Sequence, residues 1–179
     1  MCTKALGIRD FWTDIVEVDF NEFDQHRGDL RKAMHCATSL YHMHDWVFRA
    51  HESSIKAQGW TFQNKLQKPI SVETSEGFAN WLRDQDGNFE IIRCTANALK
   101  HETLLKYKSK QFGAPHFSSN VASFSIGGGS ASSGTSPGKV KWEVRVQALN
   151  SDGSDGPLLP VASAVRTMWI SLNSQYKWW

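Results

Sequence analysis

The sequence predicts a mainly α protein: an up-and-down helical bundle with a β-hairpin inserted before its C-terminal helix. Three observations predict it. Apolar residues recur at helical spacing over a long stretch after residue 29 and in two shorter runs before residue 107. A strictly alternating run, "KVKWEVRVQAL", follows a Gly/Ser-rich stretch. A last helical stripe begins at Pro160 and runs toward "QYKWW". At 179 residues, 40% hydrophobic and 12% aromatic with eight tryptophans, the chain suits one domain over residues 1–179 with a single core. Disorder is excluded by that aromatic content.

Within this domain the helical core is expected over 29–107. Gly28 breaks the chain and Asp29 is a good N-cap, after which Leu30, Met34, Ala37, Tyr41, Phe48 and Ile55 share a face until Gly59. This spacing predicts a helix from about Leu30 to Ala57. A second helix starts at Ser75, places Phe78, Trp81 and Leu82 on one side, and meets a C-terminal signal or a kink at Gly87. A third is expected over about 89–107, with Ile91, Cys94, Thr95, Ala98, Leu99 and Leu105 on its apolar face. The hairpin occupies 111–148. Its second strand turns Val140, Trp142, Val144, Val146 and Ala148 to one face, its partner is 117–126, and the low-complexity loop 127–138 joins them flexibly. The final helix spans 160–176 on a stripe of Val161, Ala164, Val165, Met168 and Leu172.

Charge and cysteine content exclude several function classes. The net charge of +2 provides no global footprint for nucleic acid, but its distribution is uneven. Six acids and no base lie between Asp10 and Asp24, whereas four lysines against one glutamate lie between Leu99 and Lys110. The acidic segment is expected to lie against the basic one. Three widely spaced cysteines without a C-x-x-C pair imply reduced thiols, with neither a disulfide framework nor a thiolate zinc site. No apolar run reaches the roughly 20 residues of a membrane span, and the first residues lack secretory-signal order. A soluble cytoplasmic protein without a membrane partner is expected.

Motifs with a fixed mechanism are missing. "GTSPGK" is too short between its glycines for a phosphate loop, "NSDGSDG" lacks the spacing and terminal Glu of an EF-hand, and neither G-x-S-x-G nor H-E-x-x-H occurs. No cofactor is expected. His35, His42 and Arg49 line up at heptad spacing with Asp45 nearby, but residues seven apart are about 10.5 Å apart along a helix, too far to share one ion. His42 and Asp45 could supply two ligands, and no metal centre is expected from them alone.

The polar constellation that stands out is in "EIIRCTANALKH". On a helical wheel Arg93, Asn97 and Lys100 fall within about 60° of one another, with His101 about 40° beyond Asn97. Opposite the apolar face, the stripe reads first as solvated surface, yet the small Ala96 and Ala98 would let a second helix approach. On the long helix His44 and His51 face inward, so each needs a hydrogen-bond partner from the third helix or the C-terminal tail. General acid/base work by His44 is the alternative to a satisfied core histidine. Asp45 or His44 is expected within reach of a polar group between Arg93 and His101. Lys100, Lys106, Lys108 and Lys110, around Tyr107, are the residues that would meet phosphates.

Two of these segments, "DLRKAMHCATSLYHMHDWVF" and "IIRCTANALKH", resemble a group of uncharacterised bacterial helical-bundle proteins that carry an A-N-A-x-K-H helix, over roughly 29–107. More loosely, a bundle with Arg and His on one helix is similar to the HEPN superfamily. That resemblance implies a dimeric ribonuclease site using Arg and His four to six residues apart; here seven residues separate Arg93 from His101. Two functions are therefore expected. The first is a non-catalytic binding or regulatory module that engages a protein partner or a second copy of itself through a Trp-rich surface and the Gly/Ser loop. The alternative is HEPN-like RNA binding or cleavage, with Arg93 on phosphate, Asn97 orienting, and His101 or His44 as acid/base.

Overall fold

The computed structural model describes residues 6–100, 123–128, 142–147 and 156–179, with side chains described for 6–97 and 156–179. Its central element is α3, Leu30–Ala57, which packs against every other long helix of the bundle. Asp29 caps it as expected, its carboxylate accepting from the Lys32 amide at 3.2 Å. The helix ends where Gly59 takes a positive φ of 65°, a conformation that costs glycine little. One bend interrupts it at His51, whose φ of −127° leaves the helical region. There the His51 Nε2 donates to the Trp178 carbonyl at 2.9 Å, so the C-terminal tail supplies the inward-facing imidazole with its partner.

The acidic N-terminal segment is helical, which the sequence periodicity did not predict. It comprises α1 (Ile8–Phe11), a π-helical turn (Trp12–Val16) and α2 (Glu17–Gln25). The physical reason is the π turn. Buried Phe11 and Val16 stand five residues apart, a spacing that an α-helix sends to different faces and a wider π turn returns to one.

Beyond α3, a two-stranded hairpin of β1 (Thr61–Gln63) and β2 (Pro69–Ser71) leads into α4, Ser75–Gln85. The Thr74 hydroxyl caps α4 by accepting from the Gly77 amide at 3.0 Å. A Cβ on Gly77 would meet the Phe62 ring at 3.4 Å, so the hairpin lies directly on this first turn. Next comes α5, Gly87–Lys100. The second helix thus ends just before Gly87 as expected, and Gly87 is also the first residue of the next helix, because Asp86 breaks the chain and accepts from the Asn88 amide at 2.9 Å.

Strands β3 (Ser123–Gly128) and β4 (Trp142–Gln147) are antiparallel, with Phe124 opposite Val146 and Ile126 opposite Val144, and the short β5 (Gly156–Pro157) extends the sheet. The hairpin therefore stands before the last helix as expected, and its first strand runs on past Ile126 to include Gly127 and Gly128, while 117–122 lies outside the described residues. The remainder of the 127–138 loop lies outside the described residues, as does 101–107 of the third helix. The last helix, α6, covers Leu158–Tyr176 and starts two residues before Pro160.

The core joins Leu40, Met43 and Val47 of α3 to Phe78 and Leu82 of α4, Phe89 and Ile92 of α5, and Val165 and Trp169 of α6. Tryptophans belong to it. Trp60 stacks on Trp81 at 4.0 Å between ring centroids, and Trp12, Trp81, Trp169 and Trp178 are all buried. The expected Trp-rich surface is corrected by this packing, since four of the seven described indoles are buried and the other three pack against the core. No described helix is long and apolar enough to cross a membrane.

Candidate functional site

Arg93 projects from α5 toward α4. Its Nη1 donates to Asn80 Oδ1 at 3.0 Å and approaches Glu76 Oε1 at 3.4 Å, while Nη2 donates to Glu90 Oε1 at 2.9 Å. Only 17% of the side chain is exposed. Burial alone would weaken its charge, but the Glu90 and Glu76 carboxylates outweigh that and hold the guanidinium firmly protonated. Asn97 is half-buried and lies beside the Tyr41 side chain of α3. Both residues face neighbouring helices. The expected solvated stripe is therefore a contact surface among the described residues, as Ala96, itself buried, permits.

The phase of α5 explains this. Its buried positions are Phe89, Ile92, Thr95 and Ala96, whereas Ile91 and Cys94 are only half-buried. The expected apolar face is thus rotated by about one residue, or about 100°. Large Phe89 sets the rotation by packing against Tyr41, His44 and Trp169. His101, Lys106, Lys108 and Lys110 lie outside the described residues, as does the side chain of Lys100.

His44 is 3% exposed. Its Nδ1 donates to the Tyr41 carbonyl at 2.6 Å, and burial pushes its pKa below the ordinary value despite the Asp45 carboxylate 3.5 Å from Nε2. Asp45 in turn is a hub. Its Oδ1 accepts from the Ser75 hydroxyl at 2.5 Å and its Oδ2 lies 3.3 Å from His42 Nδ1. Burial would raise the Asp45 pKa, but Ser75, His44 and His42 together hold it below the usual carboxylate range. Ser75 is the first residue of α4, so this carboxylate also meets the positive end of that helix. The polar link expected between α3 and α5 is not formed by His44 or Asp45 among the described residues, whose hydrogen-bond and ion-pair partners lie on α3 and α4.

A cleft of about 860 Å³ opens between the N-terminal helical segment and α3. One wall carries Leu6, Ile8, Phe11 and Ile15; the other carries His35, Ser39, His42, Asp45, Trp46 and Arg49. The heptad face noted in the sequence is this second wall. At about 1.5 Å per residue it extends for roughly 20 Å of helix axis. At one end Asp19 lies near His35, and burial raises its carboxyl above the ordinary value. At the other, Phe11 and Trp46 stack at 4.7 Å with 15° between their planes. Arg93 and Asn97 do not line this cleft. Its apolar wall was missed because it belongs to the segment whose helical period the π turn conceals.

No group of three metal-ligating side chains is present among the described residues, and the His42–Asp45 pair gains no third ligand. The described cysteines, Cys36 and Cys94, are free thiols that burial raises to about 12, which makes them poor nucleophiles. No protein-family model matches the chain, and comparisons with curated proteins and with solved structures find no match.

Proposed function

We propose that the chain is a non-catalytic binding or regulatory module of the cytoplasm, whose working surface is the cleft between the N-terminal helical segment and α3. One observation carries this reading above all: the Arg93 guanidinium is already engaged by Asn80, Glu76 and Glu90. An arginine serving phosphate would have to abandon three oxygens and leave carboxylates behind it unpaired. Asn97, half-buried beside Tyr41, supports the same reading. The cleft falls within the size range of small-molecule sites, roughly 300–1,000 Å³. Among the described residues, large exposed apolar side chains are spread over Leu6, Val18, the β1–β2 hairpin (Leu66, Ile70) and Ile170, which favours the cleft over these scattered positions. Free, unreactive Cys36 and Cys94 suit a reducing compartment.

The test uses Arg93→Ala and Asn97→Ala. Each is expected to cost on the order of 1–3 kcal/mol, lowering the melting temperature by several degrees. Neither should alter binding or integrity of a fluorescent single-stranded RNA. Wild-type cleavage of that RNA, or low-salt binding that either substitution abolishes without a change in melting temperature, would establish the ribonuclease-like alternative instead.

A further inference from the structure

We infer that this cleft is a binding site for a small aromatic carboxylate, its ring packed beside Phe11 and Trp46 and its carboxylate paired with Arg49. This assignment rests on the binding-module reading and supplies its ligand class. The charge balance of the cleft carries the inference. Of its two acids, Asp45 is engaged by Ser75, His42 and His44, whereas Asp19 lies near His35 at the opposite end of the cleft from Arg49. Arg49 lines the same cleft, is exposed, and makes no ion pair or hydrogen bond among the described residues. The unmet charge is thus positive, and it asks for an anion.

The apolar groups define the rest of the ligand. Trp46 and Ala50 neighbour Arg49 on α3, and Leu6, Ile8 and Phe11 line the opposite side. The stacked Phe11–Trp46 pair lines the cleft together with Arg49, an aromatic wall that suits a planar ring with an acidic substituent. A bare inorganic anion would leave that wall wet. A purely apolar ligand would leave Arg49 unmatched. The π turn at Trp12–Val16 sets this wall, keeping Phe11 and Val16 anchored in the core while half-buried Ile15 reaches the cleft.

Calorimetry with 2-naphthoate as the probe, and neutral 2-naphthylmethanol as its control, tests the assignment on the full chain. Saturable one-to-one binding of naphthoate is expected, at least tenfold tighter than the alcohol. Arg49→Gln should erase that preference. Ala50→Trp, an exposed position on the rim, should block both compounds; circular dichroism and melting curves confirm that each variant folds. The assignment is overturned if wild-type protein fails to bind naphthoate at millimolar concentration, if the alcohol binds equally well, or if both variants bind like wild type. In each of those cases intact RNA together with stability-only effects of the Arg93 and Asn97 substitutions leaves the binding-module reading standing. RNA cleavage removes that reading whatever naphthoate does.

Discussion

Thr95 is fully buried on α5, and its hydroxyl has no hydrogen-bond partner among the described residues. A buried, unpaired hydroxyl forfeits its hydration and gains nothing in return. Thr95→Val keeps the shape and removes the polar atom. It is expected to stabilise the fold by about 1 kcal/mol, a rise of roughly 2–4 °C in melting temperature. A lower melting temperature in a thermal scan would show that the hydroxyl is satisfied in solution. At this scale the sequence was partly informative. Thr95 reads correctly as part of an inward face, and His44 and His51 read correctly as turned inward. The roles of Arg93 and Asn97 were not legible, because a helical wheel shows which residues share a side but not which neighbour covers that side. Asn80 and Glu76, the groups that engage Arg93, come from a different helix.

Among the elements, α3, α4 and α6 were legible because each combines a sustained apolar stripe with a cap or a proline near its start. α1 and α2 were not, since the π turn between them breaks the period on which such reading depends. Their packing also changes the electrostatic expectation. The acidic segment finds Arg166 of α6: Nη2 donates to Glu17 Oε2 at 2.8 Å, Nε contacts both carboxylate oxygens at 3.1 Å, and the guanidinium lies over Phe20. Lys32 stands 3.8 Å from Glu22, and Arg27 pairs with Asp24. The basic run from Leu99 to Lys110 was the expected partner, and its side chains lie outside the described residues. A forked pair joining α2 to α6 should couple measurably. A double-mutant cycle on Glu17→Gln and Arg166→Met is expected to yield a coupling of about 1 kcal/mol in urea unfolding, at the upper end for partly exposed pairs. A coupling indistinguishable from zero would mean that α2 is held by its apolar contacts alone.

For the whole molecule, the mainly α architecture with a hairpin before the last helix was legible, whereas the position of the cleft was not. The cleft depends on how α1 and the π turn lie across α3, a tertiary arrangement that no single element specifies. Packing also determines how stability responds to pH. His44 is buried by Tyr41 and Phe89, and its pKa falls below the ordinary 6.5. The unfolded chain therefore takes up a proton near pH 6.5 that the folded chain refuses. Stability is complete above that pH and declines as pH drops toward the folded value, at no more than about 1.4 kcal/mol per pH unit for one proton. Asp45 acts in a separate window. Its folded pKa lies below 3.8, so its contribution is present above that value and is lost as pH falls below it. Unfolding free energies from urea titrations at several pH values between 7.5 and 4.5 should slope downward below 6.5 in the wild type. In His44→Leu the slope below 6.5 should be shallower by the His44 contribution, whatever the variant's absolute stability, since the Asp45 window lies below the range of these titrations. An undiminished slope in that variant would assign the decline to a different group and show that His44 accepts its proton in the folded protein as readily as in the unfolded chain.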